Sequence, residues 1–133
     1  MKYILDTNIC IYLIKQRPEK VKQRFTSQNP GDIFISSITA AELYYGAEKS
    51  SRREENIVAL QEFFQPLVIL NFETEDAVSY GLIRHRLEKV GKPVGAMDML
   101  IAAQALSREY VLVTNSEKEF RRIEGLIVEN WAK

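Results

Sequence analysis

Residues 2–15, KYILDTNICIYLIK, change periodicity in the middle. KYIL is a short apolar run of the kind that forms a buried strand, whereas ICIYLIK is apolar at helical spacing. Between them DTN supplies residues that commonly cap helices. The stretch reads as a strand-to-helix junction, and it leaves Asp6 where the strand ends.

Working outward, the same alternation continues along the chain. Pro18 starts a second helix that runs to about Phe25, and the polar SQNPGD (27–32) is a loop. IFIS (33–36) is the second strand, followed by a helix in SITAAELYYGAEKS that has Ser37 or Thr39 near its start and ends near Gly46. A further helix covers about Arg53 to Phe64 and stops at Pro66, and LVILNF (67–72) is the third strand. Glu75 to Val90 has helical period and is broken by GKP, and residues 96–108 form a helix that is apolar on almost every face, hence central and buried. VLVT (111–114) is the fourth strand, EKEFRRI (117–123) a short helix, and LIVEN (126–130) an edge strand. Strands and helices joined by short connections predict an α/β sandwich on a mainly parallel, roughly five-stranded sheet, and sites in such sheets gather at the carboxyl ends of the strands.

A chain of 133 residues, 46% hydrophobic and 27% charged, is expected to form one domain, 1–133. No apolar run approaches a bilayer span and MKYILDTN does not resemble a signal peptide, so a cytoplasmic protein with no membrane partner is expected. One cysteine, Cys10, and one histidine exclude an internal disulfide and argue against zinc sites of the Cys/His kind. The 18 basic and 18 acidic residues balance, which is not the composition of a protein that coats nucleic acid. Gathering four acids into one site would leave the remainder four positive, and basic residues do cluster: Lys15, Arg17, Lys20, Lys22 and Arg24, then Lys49, Arg52 and Arg53, then Arg84 and Arg86.

Three acids stand in apolar company: Asp6 after YIL, Glu42 in ITAAELYY and Asp98 in AMDMLIAA. A carboxylate out of water protonates, pairs with a cation or holds a metal, and these segments contain no basic partner. Converging carboxylates repel and raise one another's pKa unless a divalent cation lies between them; oxygen-only ligands suit Mg²⁺ or Mn²⁺. Local roles compete with this reading. Asp6 can simply cap the next helix, Glu42 can lie on a half-exposed helix face, and Asp98 can be a first-turn acid interacting with the helix dipole.

LDTNI, AELYYGA, GxxDMLIAAQA and VLVTNSEKEF, taken together over the whole chain, resemble PIN-domain ribonucleases, specifically the VapC toxins of bacterial VapBC toxin–antitoxin pairs. The resemblance implies a PIN-like three-layer α/β/α sandwich with Asp6, Glu42 and Asp98 as its acidic core and Asp6 and Asp98 as direct Mg²⁺ ligands. It assigns the fourth acidic position to Glu119, acting through water, with Ser116 as the competing occupant, and leaves Thr7, Asn8, Thr114 and Ser116 as supporting polar groups. It further implies Mg²⁺-dependent endonucleolytic cleavage of a structured RNA such as a tRNA anticodon loop, a homodimer, and inhibition by a VapB antitoxin. Glu42 is the candidate to orient or deprotonate the attacking water. A haloacid-dehalogenase-type phosphatase would need a second Asp where Asn8 stands. The remaining alternatives are a PIN nuclease that processes RNA outside a toxin pair and a catalytically inactive nucleic-acid-binding module.

Overall fold

The computed structural model describes residues 1–133. Strand β1 (Tyr3–Leu5) runs into helix α1 (Thr7–Lys15), and α2 (Glu19–Thr26) follows behind Pro18. The second unit is β2 (Ile33–Ser36), α3 (Ser37–Glu48) and α4 (Arg53–Phe64); the third is β3 (Val68–Leu70), α5 (Thr74–Lys89) and α6 (Ala96–Arg108). Strand β4 (Val111–Val113), the single-turn helix α7 (Glu117–Phe120) and β5 (Val128–Glu129) complete the chain.

All five strands are parallel, in the order β3-β2-β1-β4-β5. The first strand is therefore central, flanked by β2 and by β4. Because side chains alternate along a strand, each of the three inner strands serves both faces. Tyr3, Leu5, Ile33, Ile35, Val111 and Val113 face one core, under α1 to α4, whereas Ile4, Phe34 and Leu112 face the other, under α5 and α6. This is the expected three-layer α/β/α arrangement. The fully buried Trp131 closes the first core, its ring edge-on to Tyr3 at 5.3 Å between centroids.

Several boundaries depart from the sequence reading. Helix α3 passes through Gly46 to Glu48: a mid-helix glycine costs only about 1 kcal/mol, and burial of Leu43 and Ala47 outweighs it. Its cap is Ser36, the last residue of β2, whose hydroxyl accepts from Ile38 N at 3.0 Å. Strand β3 is confined to Val68–Leu70 rather than 67–72, because it is an edge strand paired on one side only, with Val68 and Ile69 exposed. Likewise α7 covers four residues instead of 117–123, and β5 two instead of 126–130. Helix α6 spans 96–108 as expected and buries Met99 and Ile101–Ala105, yet its first turn, Ala96 and Met97, is exposed. That turn carries Asp98. No helix is long and apolar enough to cross a membrane.

Candidate active site at the carboxyl edge of the sheet

In a parallel sheet all strands end on the same edge, and here the connections leave β1 in opposite directions toward β2 and β4. Asp6 follows β1 directly at this switch point, Thr114 follows β4 beside it, and Ser36 ends β2. Asp6 is fixed at both ends: its backbone N–H donates to Val113 O at 3.0 Å, and its Oδ1 accepts from Ile9 N at 2.9 Å as the N-cap of α1. Capping and clustering are thus the same placement. The residue is only 3% exposed.

Burial pushes the Asp6 carboxyl from 3.8 up to about 6, against the pull of the Thr114 hydroxyl and of Ile9 N–H, with the charges of Asp98 and Glu42 adding to the rise. Asp98, in the first turn of α6, is raised by burial and then by the charges of Glu42 and Glu119. The four acids named from the sequence therefore lie within electrostatic range of one another, in a particular order. Asp6, Glu42 and Asp98 form the inner group, and Glu119 joins it through Asp98 from the exposed side of α7.

Polar neighbours tie the group down. Thr7 Oγ1 donates to Glu42 Oε1 at 2.7 Å, and the buried Thr39 hydroxyl lies 3.4 Å from Thr7 Oγ1. Thr114 Oγ1 accepts from Ser116 N at 2.9 Å while facing Asp6, so Ser116 contributes through its backbone. Asn8 is exposed and is not among the groups bonded to the acids. Thr39 and Tyr12 were not legible as site residues. Thr39 sits inside an unremarkable helix start, and Tyr12 accepts a 2.6 Å hydrogen bond from Asn115 Nδ2 that steadies the turn after β4. Nothing local in sequence signals either contact.

No Lys or Arg pairs with Asp6, Glu42, Asp98 or Glu119; the ion pairs of the chain all lie elsewhere. The arginines of the later basic clusters are paired in place, Arg52 with Glu55, Arg53 with Glu48, Arg84 with Glu88 and Arg86 with Glu124, whereas in the early cluster only Arg24 is paired, with Glu129. Lys15 ends α1, whose other end is capped by Asp6; nine residues of helix put it roughly 13 Å along the axis from the acids. Lys15 thus stands at the end of α1 away from Asp6.

Repelling carboxylates without a protein cation are the donor set a hard divalent ion would neutralise. The acids do not close into a three-ligand cage around one point. Mg²⁺ typically takes only one or two carboxylates directly and keeps several waters. A cavity of about 380 Å³ opens beside the acids, lined by Thr7, Ala41, Glu42, Tyr45 and Met97. A larger one, about 430 Å³, lies away from them between the second half of α5 and the segment after α7 and contains no acid of the cluster.

Residues 3–126 match the PIN domain family. The chain is 48% identical over 131 residues to Ribonuclease VapC2 of Haemophilus influenzae, covering 98% of each chain. It is 43% identical over 132 residues to the tRNA(fMet)-specific endonuclease VapC of Shigella flexneri, covering 99% of each. Among solved structures, DNA-bound VapBC from Salmonella typhimurium superposes with a TM-score of 0.93 at 45% identity, covering 98% of each chain. VapBC-1 from nontypeable Haemophilus influenzae gives a TM-score of 0.92 at 40% identity over the whole of both chains.

Proposed function

The chain belongs to the PIN-domain ribonucleases of the VapC type, the toxins of VapBC pairs, and from that premise we propose a Mg²⁺-dependent endoribonuclease that cuts a tRNA, specifically tRNA(fMet) in its anticodon loop, until a VapB-type antitoxin covers the acidic groove. The observation that carries this reading is the convergence of Asp6, Glu42 and Asp98, from three distant segments, with burial and neighbouring charge raising the proton affinity of Asp6 and Asp98 and no basic partner in reach. The named activity of the Shigella flexneri relative supports the substrate.

Asp6 and Asp98 are the residues that would hold Mg²⁺, or Mn²⁺ in its place, with Glu119 reaching it through water. When bound, the ion supplies Lewis acidity toward the phosphodiester and offsets the charge that builds in the transition state. Glu42 is committed to Thr7 through Oε1, which leaves Oε2 to accept a proton from the attacking water. Thr114 and Ile9 N–H favour the ionised form of Asp6 and oppose, without cancelling, the rise that burial imposes. No side chain need act as a nucleophile.

Exposed apolar side chains on the edge strand, Val68 and Ile69, and one turn apart on α5, Val78 and Leu82, support a homodimer. The VapBC assemblies among the structural relatives support the antitoxin as the other partner, and a cytoplasmic location follows from a tRNA target.

Purified protein given a tRNA(fMet) transcript and Mg²⁺ is expected to produce one cut, to stop with EDTA, and to regain activity with Mn²⁺. Asp6→Asn or Asp98→Asn should abolish cutting with an unchanged circular dichroism spectrum. Cutting that survives both substitutions would reject the site.

A further inference from the structure

Helix α3 holds two adjacent tyrosines with different fates. Tyr44 packs against the first core, its ring 5.7 Å from that of Phe64. Tyr45 belongs to neither core and is 66% exposed. It lies one turn beyond Glu42, and Lys49 lies one turn beyond Tyr45, so the three follow a single stripe along the helix. The Lys49 ammonium rests 4.7 Å from the centroid of the Tyr45 ring. Unlike Arg52 and Arg53, Lys49 has no carboxylate partner.

Tyr45 also lines the cavity beside the acids, together with Met97, which is 50% exposed and immediately precedes Asp98 on α6. The hollow thus takes an aromatic ring from the helix that carries Glu42, a thioether from the helix that carries Asp98, and its polar groups, Thr7 and Glu42, from the acid cluster itself. Its volume of about 380 Å³ is in the range of pockets that take small organic molecules, on the order of 300–1,000 Å³.

We propose that Tyr45 is a stacking platform for one nucleobase of single-stranded RNA next to the scissile phosphodiester, with Met97 as the apolar wall and Lys49 facing the neighbouring phosphate. The inference rests on the ribonuclease reading and extends it to substrate placement. Bases in a loop are already unstacked, every base has a π-face, and a ring fixed one helical turn from the water-activating acid would hold the adjoining phosphodiester against the carboxylates. Stacking is tolerant of base identity, so Tyr45 sets where the strand lies more than which sequence is cut.

The probe is the tRNA(fMet) anticodon stem-loop, intact or with a single abasic nucleotide placed in turn on either side of the cut. Tyr45→Ala should raise KM roughly tenfold or more, with a smaller change in kcat, whereas Tyr45→Phe should behave like the wild type. At one abasic position the wild type should show the same loss, and Tyr45→Ala no further loss. An unchanged KM in Tyr45→Ala, or losses that simply add at every position, overturns the proposal. Lys49→Gln should lower the slope of log affinity against log salt by about one, and an unchanged slope overturns the phosphate contact. Fluorescence anisotropy of the intact stem-loop without divalent ions reads the contact apart from cleavage. Equal binding by wild type and Tyr45→Ala sinks the platform even if both cut, whereas tighter wild-type binding there, together with no cutting once Mg²⁺ is supplied, upholds the platform and rejects the nuclease reading instead.

Discussion

Thr7 Oγ1 donates to Glu42 Oε1 across 2.7 Å, so the first turn of α1 sets the orientation of an acid carried 35 residues later on α3. Hydrogen bonds to charged groups contribute about 1.5–3 kcal/mol, which is sizeable for the orientation of one side chain. Thr7→Val should therefore lower kcat by about tenfold to a hundredfold with little change in KM, and Thr7→Ser should restore it. Single-turnover cleavage of the two variants separates them; equal rates in Thr7→Val and wild type would show that Glu42 is held by something else.

The Asp6 carboxyl, pushed up to about 6 from 3.8, holds its proton more tightly in the folded chain than in the unfolded one. Without divalent ions, the stability this provides is complete below about pH 4 and is lost as pH rises through about 6, so the melting temperature should fall across that window. Asp6→Asn keeps the cap on Ile9 N–H and should flatten the slope. Added Mg²⁺ should raise the neutral-pH melting temperature of the wild type and not that of Asp6→Asn. Thermal scans in EDTA and in Mg²⁺ from pH 4 to 8 test both claims, and a melting temperature that climbs with pH in EDTA contradicts them.

Asp98 sits half-buried among like charges, so neutralising it relieves repulsion from Glu42 and Glu119. In metal-free buffer at neutral pH, Asp98→Asn should melt a few degrees higher than the wild type while losing cleavage. Glu119→Gln, farther out, should lower activity about tenfold and leave the melting temperature nearly unchanged. A clear fall in the melting temperature of Asp98→Asn would mean that its dipole interaction with α6 outweighs the repulsion.

A buried acid remote from the site provides the contrast. Asp76, 1% exposed, accepts from Glu73 N at 2.8 Å, pairs with Arg108 at 3.2 Å and bonds the Ser107 hydroxyl, locking α5 to α6. Asp76→Ala strands Arg108 and should cost roughly 3–5 kcal/mol in urea unfolding, with cleavage per folded molecule unchanged. A loss below about 1 kcal/mol would show that Arg108 finds another partner or is well solvated.

Much of the candidate site was legible because a carboxylate in an apolar segment violates a local rule wherever it occurs, and Asp6, Glu42 and Asp98 each did so. The β1–α1 junction and the full span of α6 were equally plain, since cap chemistry and helical period are local signals. The distribution of basic charge was not. Arg24 meets Glu129 from the far end of the chain, and no spacing in sequence reveals that this cation is already spent. Strand order was hidden for the same reason: β1 lies between β2 and β4, a choice made by both sheet faces at once. The ends of β3 and β5 were overestimated because apolar residues on a sheet margin look like strand whether or not a neighbour pairs with them.

The central strand is synthesised first and its neighbour β4 near the end, with Glu119 emerging later still. A nascent polypeptide on the ribosome thus holds Asp6 for most of its synthesis without the strand that completes its surroundings. Because Asp6 is bonded to Val113 O and faces the Thr114 hydroxyl, its surroundings are complete only once β4 has docked beside β1.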